Sequence, residues 1–193
     1  MTLYFERQSM RRCGLHALNN LFQESVFEYN DLRDISYEIT PFKFFHFNPH
    51  HSFLGNFDVN VLTIAIERYL KEFEVKWFLP EWNLEEILNF NENLYGFLIN
   101  IGLSSSKRHW ITAKLFKSDV IQNENDEPYT IVQFDSLSNE PYIFPSLERF
   151  LFHLESLLKS RHHTQLLYIT KKQLSDSGPD QDDPVVDFEQ RME

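Results

Sequence analysis

The single cysteine of this 193-residue chain, Cys13, stands directly after Arg11 and Arg12 at the predicted start of a helix. A cysteine attacks a carbonyl carbon as its thiolate, and both a helix N-terminus and neighbouring cations favour that ionised form. A free cysteine is also often a small buried hydrophobic residue, so position alone does not establish a catalytic role. Cys13 is therefore a candidate nucleophile whose assignment depends on partner groups elsewhere in the chain.

A cysteine nucleophile requires an imidazole as its base and acid, and that imidazole requires an acceptor that fixes its orientation. His109 opens an apolar run typical of a β-strand, and Asp135 ends the next such run, in the sequence QFDSLS. On paired antiparallel strands these two residues would meet at the same end of the sheet. Each is ordinary by itself, so the hypothesis rests on the combination of Cys13, His109 and Asp135.

Two further residues near the cysteine have distinct interpretations. Gln8 could donate a hydrogen bond from its side-chain amide to an oxyanion, beside the backbone N–H of Cys13, or it could be a solvated residue of an N-terminal strand or turn. His16 lies three residues after Cys13, but two ligands make an incomplete zinc site, so we interpret His16 as structural. We expect no metal and no cofactor. The remaining histidines receive no chemical role: His46, His50, His51, His153, His162 and His163.

The apolar pattern predicts helices first and strands afterwards. Helical spacing indicates helices over 13–23, 29–39, 82–90 and 146–160, and another that begins at Asn56 or Asp58 and continues to about residue 70. Short runs rich in β-branched and aromatic residues predict strands over 75–79, 97–101, 108–116, 129–135 and 165–171. This order predicts an α+β domain with N-terminal helices packed on a mainly antiparallel sheet.

Composition and charge narrow the classes of function. Hydrophobic residues make up 42% and aromatic residues 16% of the chain, which is typical of a folded protein. One cysteine cannot form an internal disulfide, and no secretory signal or membrane span is apparent, so we expect a cytoplasmic or nuclear protein. The net charge of −11 argues against nucleic acid as a partner. We expect a monomer with one domain over 1–174 and a disordered tail over 175–193, which carries seven acidic residues and one arginine.

The segments ERQ, CGLHALNNLFQ, NFDVNVLTIAIERYL, RHW and FDSLS together resemble the Josephin family of deubiquitinating cysteine proteases, over about residues 4–172. The resemblance implies a papain-like α+β fold and hydrolysis of the peptide or isopeptide bond after the C-terminal glycine of ubiquitin. It implies that Cys13 is the nucleophile, that His109 is the general base and acid, and that Asp135 orients His109. The resemblance also implies that Gln8 is the oxyanion donor and that ubiquitin or its conjugates are the partner.

Several features depart from that resemblance or extend it. Gly14 stands where alanine is usual, and glycine weakens a first helical turn by roughly 0.5–1 kcal/mol. The loop 118–128 is longer than usual, and the tail lacks the pattern of a ubiquitin-interacting helix. The resemblance implies that the stretch from about 24 to 56 is a helical arm beside the path of ubiquitin. It contains possible contact residues that we assign mostly to the core: Phe44, Phe45 and Phe47.

Two other functions are compatible with the same residues. One is a catalytically weak ubiquitin-binding module, in which Gly14 or the geometry of the arm impairs turnover. The other is a protease that acts on a different ubiquitin-like modifier. Reaction with a ubiquitin probe that carries a C-terminal electrophile distinguishes the first of these from an active deubiquitinase.

Overall fold

The computed structural model describes residues 2–40, 48–50, 56–79, 83–90, 93–104, 107–117, 129–160 and 164–172. The helices are α1 (Cys13–Phe22), α2 (Tyr29–Glu38), α3 (Val59–Tyr69), α4 (Leu84–Phe90) and α5 (Leu147–Ser160). The strands are β1 (Phe73–Trp77), β2 (Leu94–Ser104), β3 (Lys107–Lys117), β4 (Tyr129–Phe134), β5 (Tyr142–Ile143) and β6 (Gln165–Lys171).

The six strands form one sheet in the order β1-β6-β2-β3-β4-β5, and every neighbouring pair is antiparallel. The long strands β2 and β3 lie at the centre of the sheet, where each pairs with neighbours on both sides. This arrangement confirms the predicted α+β class.

The sheet separates two hydrophobic clusters because successive side chains along a strand point to opposite faces. On one face, Leu98 and Trp110 pack with apolar residues of α1, α2 and α3, including the fully buried Leu18 and Leu21. On the other face, the neighbouring strand residues pack with α4 and α5. The main members of that second cluster are Phe97, Ile99, Ile111, Ala113, Phe150 and Leu154.

Side chains cap the first turns of α3 and α5. The Asp58 side chain accepts the backbone N–H of Val61 at 3.2 Å, and it caps α3. Ser146 accepts the backbone N–H of Arg149 at 3.3 Å at the start of α5. Side-chain acceptors at these positions satisfy N–H groups that the first helical turn leaves without a partner. None of the helices in the described ranges is long and apolar enough to cross a membrane.

The strand prediction differs from the structure most at the first strand and at β5, and β2 is longer at both ends than predicted. The first strand begins at Phe73 and ends at Trp77, two residues earlier than predicted, because it pairs with β6 from Phe73 opposite Lys171 to Trp77 opposite Leu167. The two-residue β5 was not predicted, since a pair of residues carries no measurable alternation. The predictions for Phe44, Phe45 and Phe47, for the loop 118–128 and for the tail 175–193 lie outside the described residues.

Candidate active site

Cys13 is the first residue of α1, and only 5% of its surface is exposed. The residue at the helix cap is Arg12, which provides no side-chain hydrogen bond, and the first turn of α1 contains no acidic residue. The partial positive charge of the helix N-terminus is therefore not offset by a carboxylate within that turn. The sulfur of Cys13 therefore lies at the positive end of the α1 dipole.

The two arginines before Cys13 have different surroundings. Arg11 is exposed, whereas the guanidinium of Arg12 lies 4.2 Å from the centre of the Tyr29 ring on α2. Stacking of a guanidinium on an aromatic ring is a favourable cation–π contact. Arg12 thus fastens the start of α1 to α2 while its positive charge stays one residue away from Cys13.

The imidazole of His109 connects the central sheet with the turn after β4. Its Nε2 atom lies 2.7 Å from Oδ1 of Asp135, and His109 is only 5% exposed. The same carboxylate oxygen accepts the backbone N–H of Leu137 at 2.9 Å, and the Asp135 carbonyl accepts the N–H of Ser138 at 2.9 Å. Asp135 is therefore held in one orientation by the turn that follows it.

The charge of His109 is set by competition between burial and its two neighbours. Burial acts to lower the pKa of His109, but hydrogen bonds to Asp135 and Cys13, together with their charges, raise it from 6.5 to about 9. Burial likewise acts to raise the pKa of Asp135, and hydrogen bonds from His109 and Leu137 lower it below its ordinary value. At neutral pH the structure therefore favours an imidazolium between a carboxylate and the cysteine sulfur.

The arrangement of the ring has a chemical consequence. Because Nε2 is bonded to Asp135, Nδ1 is the ring nitrogen left to contact Cys13. A ring held in this way can exchange a proton at Nδ1 while Asp135 stabilises the charged form. The structure thus brings together the three residues that the sequence singled out, from α1, β3 and the turn after β4.

Gln8 lies in the N-terminal segment that approaches this turn. Its backbone N–H donates to the carbonyl of Ser136 at 2.9 Å, and its Oε1 accepts from the Ser136 hydroxyl at 3.0 Å. Its Nε2 donates to the carbonyl of Met10 at 3.2 Å. The side chain is half-buried and hydrogen bonded, which differs from the freely solvated glutamine that the sequence also allowed.

The N-terminal segment is fixed to α1 by polar side chains that sequence reasoning did not identify. The backbone of Glu6 exchanges hydrogen bonds with the side chain of Asn20, at 2.6 and 3.1 Å. The Glu6 carboxylate contacts His16 at 2.6 Å and accepts from Asn19 and from the Tyr4 hydroxyl. The adjacent asparagines Asn19 and Asn20, in a helix whose other residues are mostly apolar, are the sequence signal that could have indicated this contact.

Two residues beside Cys13 and His109 pack the helix tightly on the sheet. The indole N–H of Trp110 donates to the carbonyl of Phe57 at 3.1 Å. A Cβ added to Gly14 would lie 3.2 Å from Cδ2 of Leu62 and 3.4 Å from Cδ1 of Trp110. The glycine therefore lets α1 approach both side chains closely. Within the described ranges no group of three or more acidic, histidine or cysteine side chains could hold a metal ion.

Comparisons with known proteins agree with this architecture. A family model described as Josephin matches residues 8–167. A Josephin-like protein of Drosophila melanogaster is 31% identical over 178 residues, which cover 86% of this chain and 73% of the fly protein. Josephin-2 of Homo sapiens is 34% identical over 122 residues, which cover 58% of this chain and 63% of the human protein.

A third relative matches a shorter part of the chain. An ataxin-3 homolog of Caenorhabditis briggsae is 38% identical over 55 residues, which cover 28% of this chain and 15% of that protein. The family model covers far more than half of the chain, and the fly protein is matched over most of its own length. The chain therefore belongs to the Josephin family, which includes cysteine deubiquitinases.

Proposed function

We propose that this chain is a cysteine deubiquitinase that hydrolyses the peptide or isopeptide bond after the C-terminal glycine of ubiquitin. The observation that carries the proposal is the chain of contacts from Cys13 to His109 and from His109 to Asp135. Membership in a family that includes cysteine deubiquitinases supplies the substrate class. The three residues act as nucleophile, general base and acid, and orienting group, respectively.

The first half of the reaction is acylation. The thiolate of Cys13 forms a bond to the glycine carbonyl carbon, and the carbonyl electron pair moves onto its oxygen. Gln8 Nε2 and the backbone N–H of Cys13 donate to that oxyanion, so the developing charge replaces the Met10 carbonyl as the acceptor for Gln8. Imidazolium His109 gives its Nδ1 proton to the leaving amine as the C–N bond breaks, and a thioester remains.

The second half is hydrolysis of the thioester. Neutral His109 takes a proton from a water molecule, whose oxygen attacks the thioester carbon. The C–S bond then breaks, the carboxyl terminus of ubiquitin is released, and the thiolate and imidazolium return to their starting pair. Asp135 stays ionised throughout, since its role is to hold the ring and to stabilise its positive charge.

The surface charge is compatible with this substrate. The chain carries a net charge of −11, which favours association with a positively charged segment over association with an anionic one. We propose that the chain acts as a monomer and that ubiquitin conjugates are its partner. Localisation in the cytoplasm or nucleus remains our expectation from the single cysteine.

The decisive experiment uses a ubiquitin probe with a C-terminal electrophile. Wild type is expected to form a covalent adduct, and Cys13→Ala and His109→Ala are expected to form none while remaining folded at the assay temperature. His153→Ala is the matched control, because His153 is another histidine with limited exposure, but it lies on α5, which packs on the opposite face of the sheet from α1. That control should react like wild type.

Other outcomes would select the other functions. Tight reversible binding of ubiquitin by wild type without an adduct would identify a binding module and contradict the enzyme. Adduct formation with a different ubiquitin-like probe, and none with ubiquitin, would identify a protease for that modifier. Unfolding of Cys13→Ala or His109→Ala at the assay temperature would instead indicate that these residues mainly pack the core.

A further inference from the structure

Ser136 links the N-terminal segment to the turn that carries Asp135. It is only 3% exposed and follows Asp135 directly. Its carbonyl accepts the backbone N–H of Gln8, and its hydroxyl donates to Oε1 of Gln8 at 3.0 Å. Both the backbone and the side chain of one glutamine are thus bound by one serine that lies 128 residues later in the sequence.

These bonds give the amide of Gln8 a defined direction. With Oε1 held by the Ser136 hydroxyl, Nε2 points to the Met10 carbonyl, on the segment that leads into Cys13. Rotation of the amide by half a turn would bring Oε1 against that carbonyl, and two acceptors would face each other. The Ser136 hydroxyl and the Met10 carbonyl therefore select together one of the two orientations of the amide, with Nε2 directed to the segment that precedes Cys13.

We propose that Ser136 is a positioning residue that fixes the Gln8 amide in the orientation required for oxyanion stabilisation. This inference rests on the proposed function, since it deepens the role given there to Gln8. The turn after β4 then orients two groups of the site: Asp135 orients His109, and Ser136 orients Gln8. An amide held in one orientation can exchange the Met10 carbonyl for the oxyanion without turning over.

The kinetic test is a double-mutant cycle between Ser136→Ala and Gln8→Ala. The measured quantity is the single-turnover rate of acylation by a ubiquitin–fluorophore ester or amide. Loss of the oxyanion donor in Gln8→Ala is expected to lower the rate by roughly 100- to 1000-fold. Loss of one neutral hydrogen bond in Ser136→Ala is expected to lower it by about five- to tenfold, with KM unchanged.

The cycle separates positioning from a merely structural role. If Ser136 acts through Gln8, then Ser136→Ala lowers the rate less than about twofold in the Gln8→Ala background, since the two effects are not additive. Ser138→Ala is the matched control, because Ser138 is an exposed serine of the same turn, and it should react like wild type. An equal loss from Ser136→Ala in both backgrounds, or no loss in either, would overturn the proposal.

A second measurement does not depend on activity. In a ¹⁵N NMR spectrum, the side-chain NH₂ of Gln8 should be dispersed and rigid in wild type, and it should become mobile in Ser136→Ala. If wild type fails to hydrolyse ubiquitin, the proposed function fails while this spectrum still decides whether Ser136 holds Gln8. An unchanged Gln8 amide in Ser136→Ala would overturn the inference. Should the alanine variant unfold, Ser136→Cys keeps the volume, weakens the donor and gives the same comparison.

Discussion

Oδ1 of Asp135 accepts two hydrogen bonds at once, from Nε2 of His109 at 2.7 Å and from the backbone N–H of Leu137 at 2.9 Å. The second bond fixes the carboxylate independently of the histidine, so the imidazole meets an acceptor that is already oriented. Interaction with the ionised carboxylate is one of the two causes that raise the pKa of His109 to about 9, and the other is Cys13. The charge state of the candidate site therefore depends on a turn outside the strands.

Removal of the Asp135 charge should shift the pH dependence of Cys13 reactivity. In Asp135→Asn, burial continues to lower the pKa of His109 while the largest opposing interaction is weakened, so the pKa falls. The thiolate–imidazolium pair is then lost at a lower pH. We expect the loss of iodoacetamide reactivity and of kcat/KM to be larger at pH 8 than at pH 6, by about tenfold. A pH–rate profile of both reactions checks this, and an equal loss at both pH values would contradict it.

The same histidine should make stability fall at alkaline pH. The pKa of His109 is raised in the folded state, so its contribution is fully present below about pH 6.5 and is lost as the pH rises through about 9. The difference between a pKa of 6.5 in the unfolded chain and about 9 in the folded protein corresponds to at most about 3 kcal/mol in the free energy of unfolding. Urea unfolding of wild type and His109→Gln at pH 6, 8 and 10 measures this. The free energies of unfolding should converge as the pH rises, and a constant difference would contradict the assignment.

The sequence predicted the residues of the candidate site better than the polar contacts that support them. Cys13, His109 and Asp135 could be found because few residue types perform this chemistry and because β3 and β4 form neighbouring antiparallel strands, with Thr112 opposite Phe134. That register brings His109 near Asp135, although the strand itself ends at Phe134 and not at Asp135 as predicted. The catalytic roles of these residues stay predictions until the probe experiment is done.

The supporting contacts had no comparable signal. Ser136 and Glu6 are polar residues whose partners lie 128 and 10 residues away in the sequence, and neither periodicity nor spacing specifies such pairs. Edge strand β5 was missed for a related reason, because its pairing with β4 is fixed by tertiary structure and not by its own two residues. Periodic apolar patterns therefore predicted the helical and sheet layers, whereas the polar contacts of Ser136 and Glu6 became apparent only in the folded structure.

The carboxylate of Glu6 should contribute to stability above acidic pH. Burial acts to raise the pKa of Glu6, but hydrogen bonds from His16, Tyr4 and Asn19 lower it below 4.5. A lowered pKa means that the contribution is present above the unfolded value and is lost as the pH falls through the folded value. Glu6→Gln should destabilise the fold by about 2 kcal/mol at pH 7 and by less at pH 4. Urea unfolding at both pH values checks this, with the exposed Glu140→Gln as the control that should change little.

Unlike the Glu6 carboxylate, the buried amine of Lys114 should destabilise the fold near neutral pH. Lys114 is 7% exposed, and its Nζ lies 3.3 Å from the centre of the Tyr95 ring. Burial first, and the charge of Lys171 second, lower the pKa of Lys114 from 10.5 to about 7. Because the unfolded chain binds more protons between these values, the Lys114 contribution to stability rises with pH across that window.

Lys114→Met removes this cost and keeps an unbranched side chain over the ring. We expect the variant to be more stable than wild type by about 1–3 kcal/mol at pH 6.5, with a smaller gain at pH 9.5. Guanidinium unfolding at the two pH values measures the difference. Lys117→Met, at an exposed position of the same strand, is the control and should change little at either pH. Destabilisation of Lys114→Met at pH 6.5 would show that the cation–π contact outweighs the cost of burial.

Two glycines should respond differently to the same substitution. A Cβ on Gly96 would lie 2.6 Å from the carbonyl oxygen of Ala113 and 2.7 Å from Cδ1 of Leu21, and the first of these is backbone of the paired strand, which cannot move aside. A Cβ on Gly14 would meet the flexible end of Leu62 at 3.2 Å. We expect Gly96→Ala to destabilise the fold by about 2–4 kcal/mol.

Gly14→Ala should change stability by less than about 1 kcal/mol, because the gain in helix propensity offsets the small displacement of Leu62. Reaction with the ubiquitin probe should remain close to wild type, since Cys13 keeps its place at the start of α1. Thermal unfolding and probe labelling of both variants make the comparison. A loss of labelling in Gly14→Ala at unchanged stability would show that close packing of α1 against Leu62 and Trp110 sets the position of the nucleophile.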